Sequence, residues 1–200
     1  MASVEENFRE LLERVRHGRQ FLHASFEPVY YLVFHPSEIL DVKRKMRAWK
    51  SKLTKSGFKV HQFSIADEIE EILAKAKLRK FWLSADRTAP LDWERTNKSL
   101  ANALIPPAES DSDSTKDSLF ARLKSCLQKA AEDPTSIVLV TDLEALHPYL
   151  RIGTIESSLY GEFKVPTVFL YPGERTGKTR LKFLGFYSED GNYRSEHVGG

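Results

Sequence analysis

Three short, almost uninterrupted apolar runs constrain the fold of this chain more than any other feature. They are PVYYLVF (28–34), TSIVLVTD (135–142) and VPTVFLY (165–171). A strand with one face in water alternates apolar and polar residues, whereas a strand covered on both faces stays apolar throughout. Runs of this kind are therefore typical of the buried parallel strands of α/β proteins. A fourth stretch, FKVHQFSI (58–65), alternates and also predicts a strand.

Helical periodicity fills the sequence between these runs. Apolar residues three and four positions apart predict helices over 4–16, 38–55, about 67–80, 118–131 and, less regularly, 143–160. Strands that alternate with helices predict a mainly parallel sheet of about five strands with right-handed crossovers. The fifth strand, 179–187, is expected to turn back as an antiparallel hairpin at the edge of the sheet. We therefore predict an α/β fold with the layout of a P-loop ATPase.

Composition indicates a single globular domain of residues 1–200. The chain is 41% hydrophobic, and its net charge of +2 carries no global nucleic-acid signature. The one cysteine, Cys126, cannot form an internal disulfide, and we expect it to be a core thiol on a helix. With no signal peptide and no run long enough to span a membrane, a cytoplasmic protein is expected. Segment 105–117, IPPAESDSDSTKD, is expected to be a surface loop.

The stretch PGERTGKT (172–179) looks like a phosphate-binding loop but fails two requirements for one. Gly173 and Gly177 are separated by three residues rather than four, and an alternating strand rather than a helix follows Lys178. We interpret it as a glycine-rich hairpin turn. Asp142 resembles the acid that orients the metal in such ATPases, but without the loop it has no nucleotide phosphate beside it. We therefore expect no nucleotide cofactor and no ATP hydrolysis.

A metal-dependent nuclease is a further reading of the same acid. Asp142 followed by Glu162-Phe163-Lys164 has the order of two acids and a lysine with which some nucleases bind a metal and activate water. In those enzymes the second acid and the lysine lie within a strand beside the first acid. Here they precede the strand that begins near residue 165, and short strings of this type are common by chance. We predict no metal site and no catalytic residue.

The strongest charge feature lies between Asp41 and Asp67, where the chain has no acidic residue. This stretch contains eight basic residues: Lys43, Arg44, Lys45, Arg47, Lys50, Lys52, Lys55 and Lys59. Such a run could contact nucleic-acid phosphates, with Lys43, Arg44, Arg47 and Lys50 as the contacts. A solvated helix face, or a surface for an acidic protein, fits it better. Trp49 belongs to the apolar stripe of this helix and is expected to face the core.

Ligands of parallel sheets bind beyond the carboxyl ends of the strands. If the strand order is ATPase-like, eight distinctive side chains converge at or near that edge: His35, Asp142, His147, Arg151, Tyr171, Glu174, Tyr193 and Arg194. They form no recognised catalytic set. Tyrosine and arginine often dominate the energetics of protein interfaces. We therefore predict partner contacts through Arg151, Tyr171, Glu174, Tyr193 and Arg194. Arg151 could instead pair with a carboxylate inside the fold.

Taken together, these segments resemble a known family. An apolar strand ending in His-Pro is followed by a helix and GFKVHQFSI, then by IVLVTDLEALHPYLRIGTIESSL, VPTVFLYPGE and LKFLGFYSEDGNYR. The pattern is similar, over nearly the whole chain, to BrxB, the small component of bacteriophage exclusion (BREX) defence systems. Its most specific parts are LHPYLR (146–151), VPTVFLYPGE (165–174) and NYR (192–194), whereas segment 85–117 carries no signature of the family.

The resemblance implies a cytoplasmic, non-enzymatic accessory protein. It would act beside a DNA methyltransferase, a large ATPase and the alkaline-phosphatase-like protein PglZ, with PglZ as the expected contact. No catalytic residue is attributed to the family, so none carries over to this chain. Two functions of different class stay open: a protein–protein adaptor in a defence complex, and a nucleic-acid-binding module that uses helix 38–55.

Overall fold

The computed structural model describes residues 3–21, 27–89, 91, 93–105, 117–177, 180–191 and 195–200. The strands in these residues are β1 (Val29–Phe34), β2 (Lys59–Ser64), β3 (Ser136–Thr141), β4 (Thr167–Thr176), β5 (Arg180–Phe183) and β6 (Glu196–Gly199). The α-helices are α1 (Val4–Phe21), α2 (Ile39–Lys55), α3 (Ile65–Lys75), α4 (Arg79–Thr88), α5 (Trp93–Leu104), α6 (Leu119–Ala131) and α7 (Ile152–Ser158). Short 3-10 helices cover Pro36–Glu38 and Leu143–Leu146.

The strands form a mainly parallel sheet in the order β2-β3-β4-β1-β6. β1 pairs in parallel with β4 and β6, and β3 pairs in parallel with β2 and β4. β5 pairs antiparallel with residues Gly173–Thr176 of β4, beyond the part of β4 that faces β1. The predicted mainly parallel α/β sheet and the returning hairpin are thus confirmed. The hairpin extends a central strand rather than lying beside an outer one.

The predicted ATPase-like layout appears in the position of β4 between β1 and β3. In place of a glycine loop after β1, the chain makes a 3-10 turn that caps itself. The ring Nδ1 of His35 accepts from the backbone N–H of Ser37 at 3.2 Å, and the Glu38 carboxylate accepts from the backbone N–H of His35 at 3.1 Å. Side chains of the turn therefore occupy backbone donors that a phosphate loop would present to its ligand.

Both faces of the sheet are covered, as the continuous apolar runs predict. Tyr31 and Val33 of β1 pack on one side with α3, α6 and α7, while Tyr30 and Leu32 pack on the other side with α1 and α2. All residues of β1 and β3 are buried. Each fully buried apolar side chain contributes about 1.5–3 kcal/mol to stability, so these strands form a firm support for the residues at their ends.

Two single-residue predictions about the core agree with the structure. The Trp49 ring stacks on Phe8 with centroids 4.3 Å apart, and its indole N–H donates to Oε2 of Glu5 at 2.8 Å. Cys126 lies partly buried on α6 against the core, and burial raises the pKa of its thiol. A raised thiol pKa leaves little reactive thiolate at neutral pH, which suits a packing role.

The helices between β2 and β4 differ in detail from the predicted ones. The predicted helix 67–80 is divided, because α3 ends at Lys75 and α4 begins at Arg79. This break allows α4 to pack against α5, where the Trp82 indole N–H donates to Oγ of Ser99 at 2.9 Å. Stretch 143–160 is likewise divided into a 3-10 helix and α7. No helix in the described part of the chain combines the length and apolar composition that a membrane span requires.

Candidate protein-interaction site

The ends of three parallel strands meet at one edge of the sheet. Ser64 and Thr141, the last residues of β2 and β3, lie opposite each other, and Phe34, the last residue of β1, lies opposite Pro172 within β4. Three of the predicted edge residues fall into two groups: Asp142 belongs to a charged cluster with Lys43, whereas His147 and Arg151 belong to an aromatic patch.

The aromatic patch consists of His147, Arg151, Phe186 and Tyr187. The guanidinium carbon of Arg151 lies 3.7 Å from the centroid of the Tyr187 ring. The Tyr187 hydroxyl is hydrogen-bonded to Nδ1 of His147, whose ring stands edge-on to both aromatic rings at 5.4 Å. Phe186 stacks on Tyr187 with centroids 4.7 Å apart. The four side chains therefore make one continuous surface.

Two turns of the backbone bring this patch together. The first follows the 3-10 helix Leu143–Leu146 and contains the His147–Pro148 peptide bond, which is cis. The second follows β5, where Leu184 and Gly185 both adopt positive φ, at 52° and 74°. Glycine tolerates this conformation, whereas leucine is disfavoured in it by about 1–2 kcal/mol. Such strain is common where a turn has to place side chains for a function.

The aromatic patch packs against the core on one side and is exposed to solvent on the other. Tyr187 tilts against Phe183, which is buried, with ring centroids 5.7 Å apart. Phe186 leaves 62% of its surface exposed. An exposed phenylalanine beside tyrosine and arginine is a combination found at the centres of protein interfaces. In the described residues, the contact for the Arg151 guanidinium is the Tyr187 ring rather than an internal carboxylate.

The other predicted contact residues lie in different settings. Tyr171 is fully buried, with its ring 5.7 Å from Tyr31 and 5.4 Å from Phe183, so it supports the patch from within the core. We therefore leave it out of the contact surface. Glu174 is exposed on the hairpin, and its carboxylate lies beside the turn at Gly185. Tyr193, Arg194 and Lys178 of the predicted hairpin turn lie outside the described residues, as does segment 106–116 of the predicted loop.

Phe186 and Tyr187 are the members of the patch that sequence reasoning missed. We interpreted them as the end of an alternating strand, because LKFLGFY continues the strand pattern after a hairpin turn. The available signal was Gly185, which directly precedes two aromatic residues. A glycine in a strand pattern often marks a turn or bulge, after which the side chains no longer follow the strand alternation.

The charged cluster consists of Lys43, Asp142 and Glu144. Asp142 stands at the position where an ATPase would place the acid that orients its metal ion. Nζ of Lys43 lies 2.8 Å from Oδ1 of Asp142 and 2.7 Å from Oε1 of Glu144. Asp142 also accepts from the hydroxyls of Ser64 and Thr141, at 3.0 and 2.7 Å. Burial opposes the charge on Asp142, but the hydrogen bonds from Lys43 and the two hydroxyls outweigh it and lower the pKa of Asp142. The same pairing, working against burial, raises the pKa of Lys43.

The structure also separates the residues of the nuclease-like string. Asp142 follows the carboxyl end of β3, whereas Glu162 precedes the amino end of β4, which runs parallel to β3. The two acids therefore lie at opposite ends of the sheet. Glu162 pairs instead with Lys124 of α6 at 2.6 Å. Two acids in this arrangement cannot share a metal ion.

Four of the eight basic residues on and after α2 form ion pairs with acids of the same fold. Lys43 pairs with Asp142 and Glu144, Arg44 with Asp41 at 2.9 Å, Lys52 with Glu5, and Lys59 with Asp133 at 3.6 Å, while Lys50 donates to Oε1 of Gln62 at 2.9 Å. Of the four predicted phosphate contacts, Lys43, Arg44 and Lys50 have these partners. The described residues supply no ion-pair or hydrogen-bond partner for the side chain of Arg47. About half of the positive charge of this run is therefore neutralised within the fold, which weakens its attraction for phosphate.

Comparison with known families identifies the chain. A family model described as BREX protein BrxB matches residues 61–198, a span that runs from β2 to β6 and includes the whole aromatic patch. Comparisons with curated proteins and with solved structures give no match. The matched span covers well over half of the chain. The protein therefore belongs to the BrxB family of BREX proteins.

Proposed function

We propose that this protein is a non-catalytic adaptor in a cytoplasmic BREX defence complex, and that it binds the alkaline-phosphatase-like component PglZ through the aromatic patch. One observation carries the proposal. Phe186 is 62% exposed on a surface that Arg151, His147 and Tyr187 hold in a fixed arrangement. Membership of the BrxB family supplies the context of other BREX proteins.

The geometry of the patch suits binding because its side chains are already ordered. Association costs about 0.5–1.5 kcal/mol for each flexible side chain that it immobilises. Tyr187 is held by a hydrogen bond with His147 and by the Arg151 guanidinium, so that ordering cost is largely met during folding. A partner that covers Phe186 then gains most of the free energy of burying a phenylalanine, about 1.5–3 kcal/mol.

The charged cluster supports an adaptor rather than an ATPase. A catalytic acid has to face its metal or water, whereas the Asp142 carboxylate is engaged by Lys43, Ser64 and Thr141. The backbone donors after β1 are capped by His35 and Glu38. Both positions that an ATPase of this layout uses for nucleotide are therefore occupied by contacts internal to the fold.

Co-purification of the tagged protein with PglZ tests the proposal. Phe186→Ser and Arg151→Ala should each weaken capture of PglZ by about tenfold or more, the effect of losing a central interface residue. The melting temperature of the Phe186 variant should stay unchanged, because that side chain is exposed. Tyr193→Ala and Arg194→Ala extend the series to the two predicted contacts outside the described residues.

Tyr160 offers a matched control. It is 61% exposed, but it precedes β4 and so lies near the amino end of the sheet, away from the patch. Tyr160→Ser should leave PglZ capture unchanged. Equal losses for the Tyr160 and Phe186 variants, or retention of PglZ by Phe186→Ser, would show that the patch is not the binding surface. A loss of melting temperature in Arg151→Ala without a loss of capture would make Arg151 structural.

A further inference from the structure

Helix α4 is attached to the fold by a narrow contact. Trp82 is its buried residue, and it is held by the hydrogen bond from its indole N–H to Ser99 of α5. Most other side chains of α4 are exposed. Helices in globular proteins usually bury a stripe about 100° wide, and α4 buries far less than that. The helix therefore presents much of its circumference outward.

The outward surface of α4 is apolar as well as exposed. Phe81 is 72% exposed, and Leu78 and Leu83 are 47% and 50% exposed. Leu78 and Phe81 are three positions apart, so their side chains share one face. Clustered exposed apolar side chains on a soluble protein mark a contact surface. We call Lys77, Leu78, Arg79, Lys80 and Phe81 the α4 surface.

The charged residues of the α4 surface are all basic, and their position at the N-terminus of α4 disfavours the helix. The first turn of α4 carries Arg79 and Lys80 with no acidic residue, and Leu78 at the N-cap supplies no side-chain hydrogen bond. A helix N-terminus has a partial positive charge, so cations there destabilise the helix. The first turns of α1 and α3, by contrast, contain acidic residues. An anionic group brought to α4 from outside would relieve this repulsion.

We infer that the α4 surface docks an acidic, amphipathic segment of a partner protein. Carboxylates would pair with Lys77, Arg79 and Lys80, and apolar side chains would cover Leu78 and Phe81. A single-stranded nucleic acid would match the cations and could stack on Phe81, but it has no aliphatic group to cover Leu78. The α4 helix packs on α3 and α5, and neither of these helices contributes a residue to the aromatic patch. This inference stands independently of PglZ binding.

A synthetic peptide provides the test. The probe is a fluorescein-labelled 18-residue helix with leucines along one face and glutamates on the other, titrated with the full chain at physiological salt and followed by anisotropy. Saturable binding with a Kd of about 1–50 μM is expected for a contact of this size. The variants Lys77→Glu/Lys80→Glu and Phe81→Ser should each weaken binding at least about tenfold and leave the melting temperature unchanged.

Exposed residues of α2 supply the controls. Leu40 is 64% exposed and Arg47 is exposed, so Leu40→Ser and Arg47→Glu match the two kinds of change on another helix. Both should bind the peptide like the unaltered protein. The inference is overturned if a peptide with serine in place of leucine binds equally well, or if Phe81→Ser keeps full affinity. Tighter binding of a 20-nucleotide single strand than of the peptide, lost in the same variants, would assign the surface to nucleic acid instead.

Discussion

Nζ of Lys43 on α2 lies 2.8 Å from Oδ1 of Asp142, the residue that follows β3. This ion pair connects α2, which packs on one face of the sheet, to the carboxyl end of β3. A cavity of about 240 Å³ beside it is lined by apolar side chains of α2, β1 and β4 together with these charges. The acid that an ATPase would direct at a metal ion thus serves here to fix α2 on the sheet.

A double-mutant cycle with Lys43→Met and Asp142→Asn measures this link. The side chain of Asp142 is 16% exposed and that of Lys43 is 48% exposed, so the pair is screened by water on one side only. We expect a coupling free energy of about 1 kcal/mol, at the upper end for surface pairs and below that of buried ones. Urea unfolding of the four proteins gives the value. A coupling near zero would mean that Glu144 alone holds Lys43 in place.

Binding to duplex DNA tests the alternative that α2 contacts nucleic acid. Because most of the basic side chains on and after α2 are engaged within the fold, we expect Kd values no tighter than about micromolar at physiological salt, the non-specific range. Arg44→Ala/Arg47→Ala should change that Kd by less than about threefold. Filter binding at several salt concentrations is the measurement. Tight, sequence-selective binding that this double variant abolishes would make nucleic acid the principal partner.

The fold could be predicted where the signal is local and apolar. Continuous apolar runs such as 28–34 and 135–142 predict strands that are covered on both faces. In the structure every residue of β1 and β3 is buried. Trp49 could be placed in the core because it continues a stripe three and four residues apart. The position of the β4–β5 hairpin could not be predicted, because strand order depends on pairings between distant segments.

The candidate site was predictable only in part for the same reason. Arg151 and His147 stand out in the sequence, but their partners Tyr187 and Phe186 come from a turn nearly forty residues later. In the sequence, Lys43 is one of eight basic residues and nothing distinguishes it from the others. Its contact with Asp142 exists only in the folded chain. Charge runs overstate the free charge of a surface when acids from other elements fold onto them.

Glu156 gives a prediction about pH because it is a carboxyl group held against the core. Burial raises its pKa above the usual 4.5, partly offset by the hydrogen bond that the Tyr31 hydroxyl donates at 2.5 Å. The folded state therefore holds the proton more tightly than the unfolded state. Its stabilising contribution is present below pH 4.5 and is lost as the pH rises through the folded pKa.

Glu156→Gln should consequently raise the melting temperature at pH 7, because the amide keeps an acceptor for Tyr31 without the buried charge. The gain should shrink as the pH approaches 4, where Glu156 in the unaltered protein becomes neutral. Glu132→Gln, a change at an exposed glutamate, is the control and should have little effect at either pH. A lower melting temperature for Glu156→Gln at pH 7 would show that the charged form is the stable one.

His197 on β6 makes the opposite prediction on the acid side. It is buried, with its ring edge-on to Tyr31 at 5.4 Å. Burial, with a smaller effect from Arg175, lowers its pKa from 6.5 to about 4. Between pH 6.5 and about 4, His197 therefore binds a proton in the unfolded state but not in the folded state. Stability is present above pH 6.5 and is lost as the pH falls toward 4, by up to about 1.4 kcal/mol per pH unit.

Replacing His197 by a group that does not titrate should remove this dependence. His197→Phe keeps a ring against Tyr31, and His197→Gln keeps a polar group for the Ser195 hydroxyl, which lies 3.2 Å from Nε2. For both variants the free energy of unfolding, measured in urea between pH 4 and 7, should fall less steeply with acid than it does for the unaltered protein. His17→Gln, at an exposed histidine of α1, should follow the original slope. Parallel curves for the His197 variants and the unaltered protein would show that another group controls acid unfolding, since the slope depends on the difference in bound protons rather than on the starting stability.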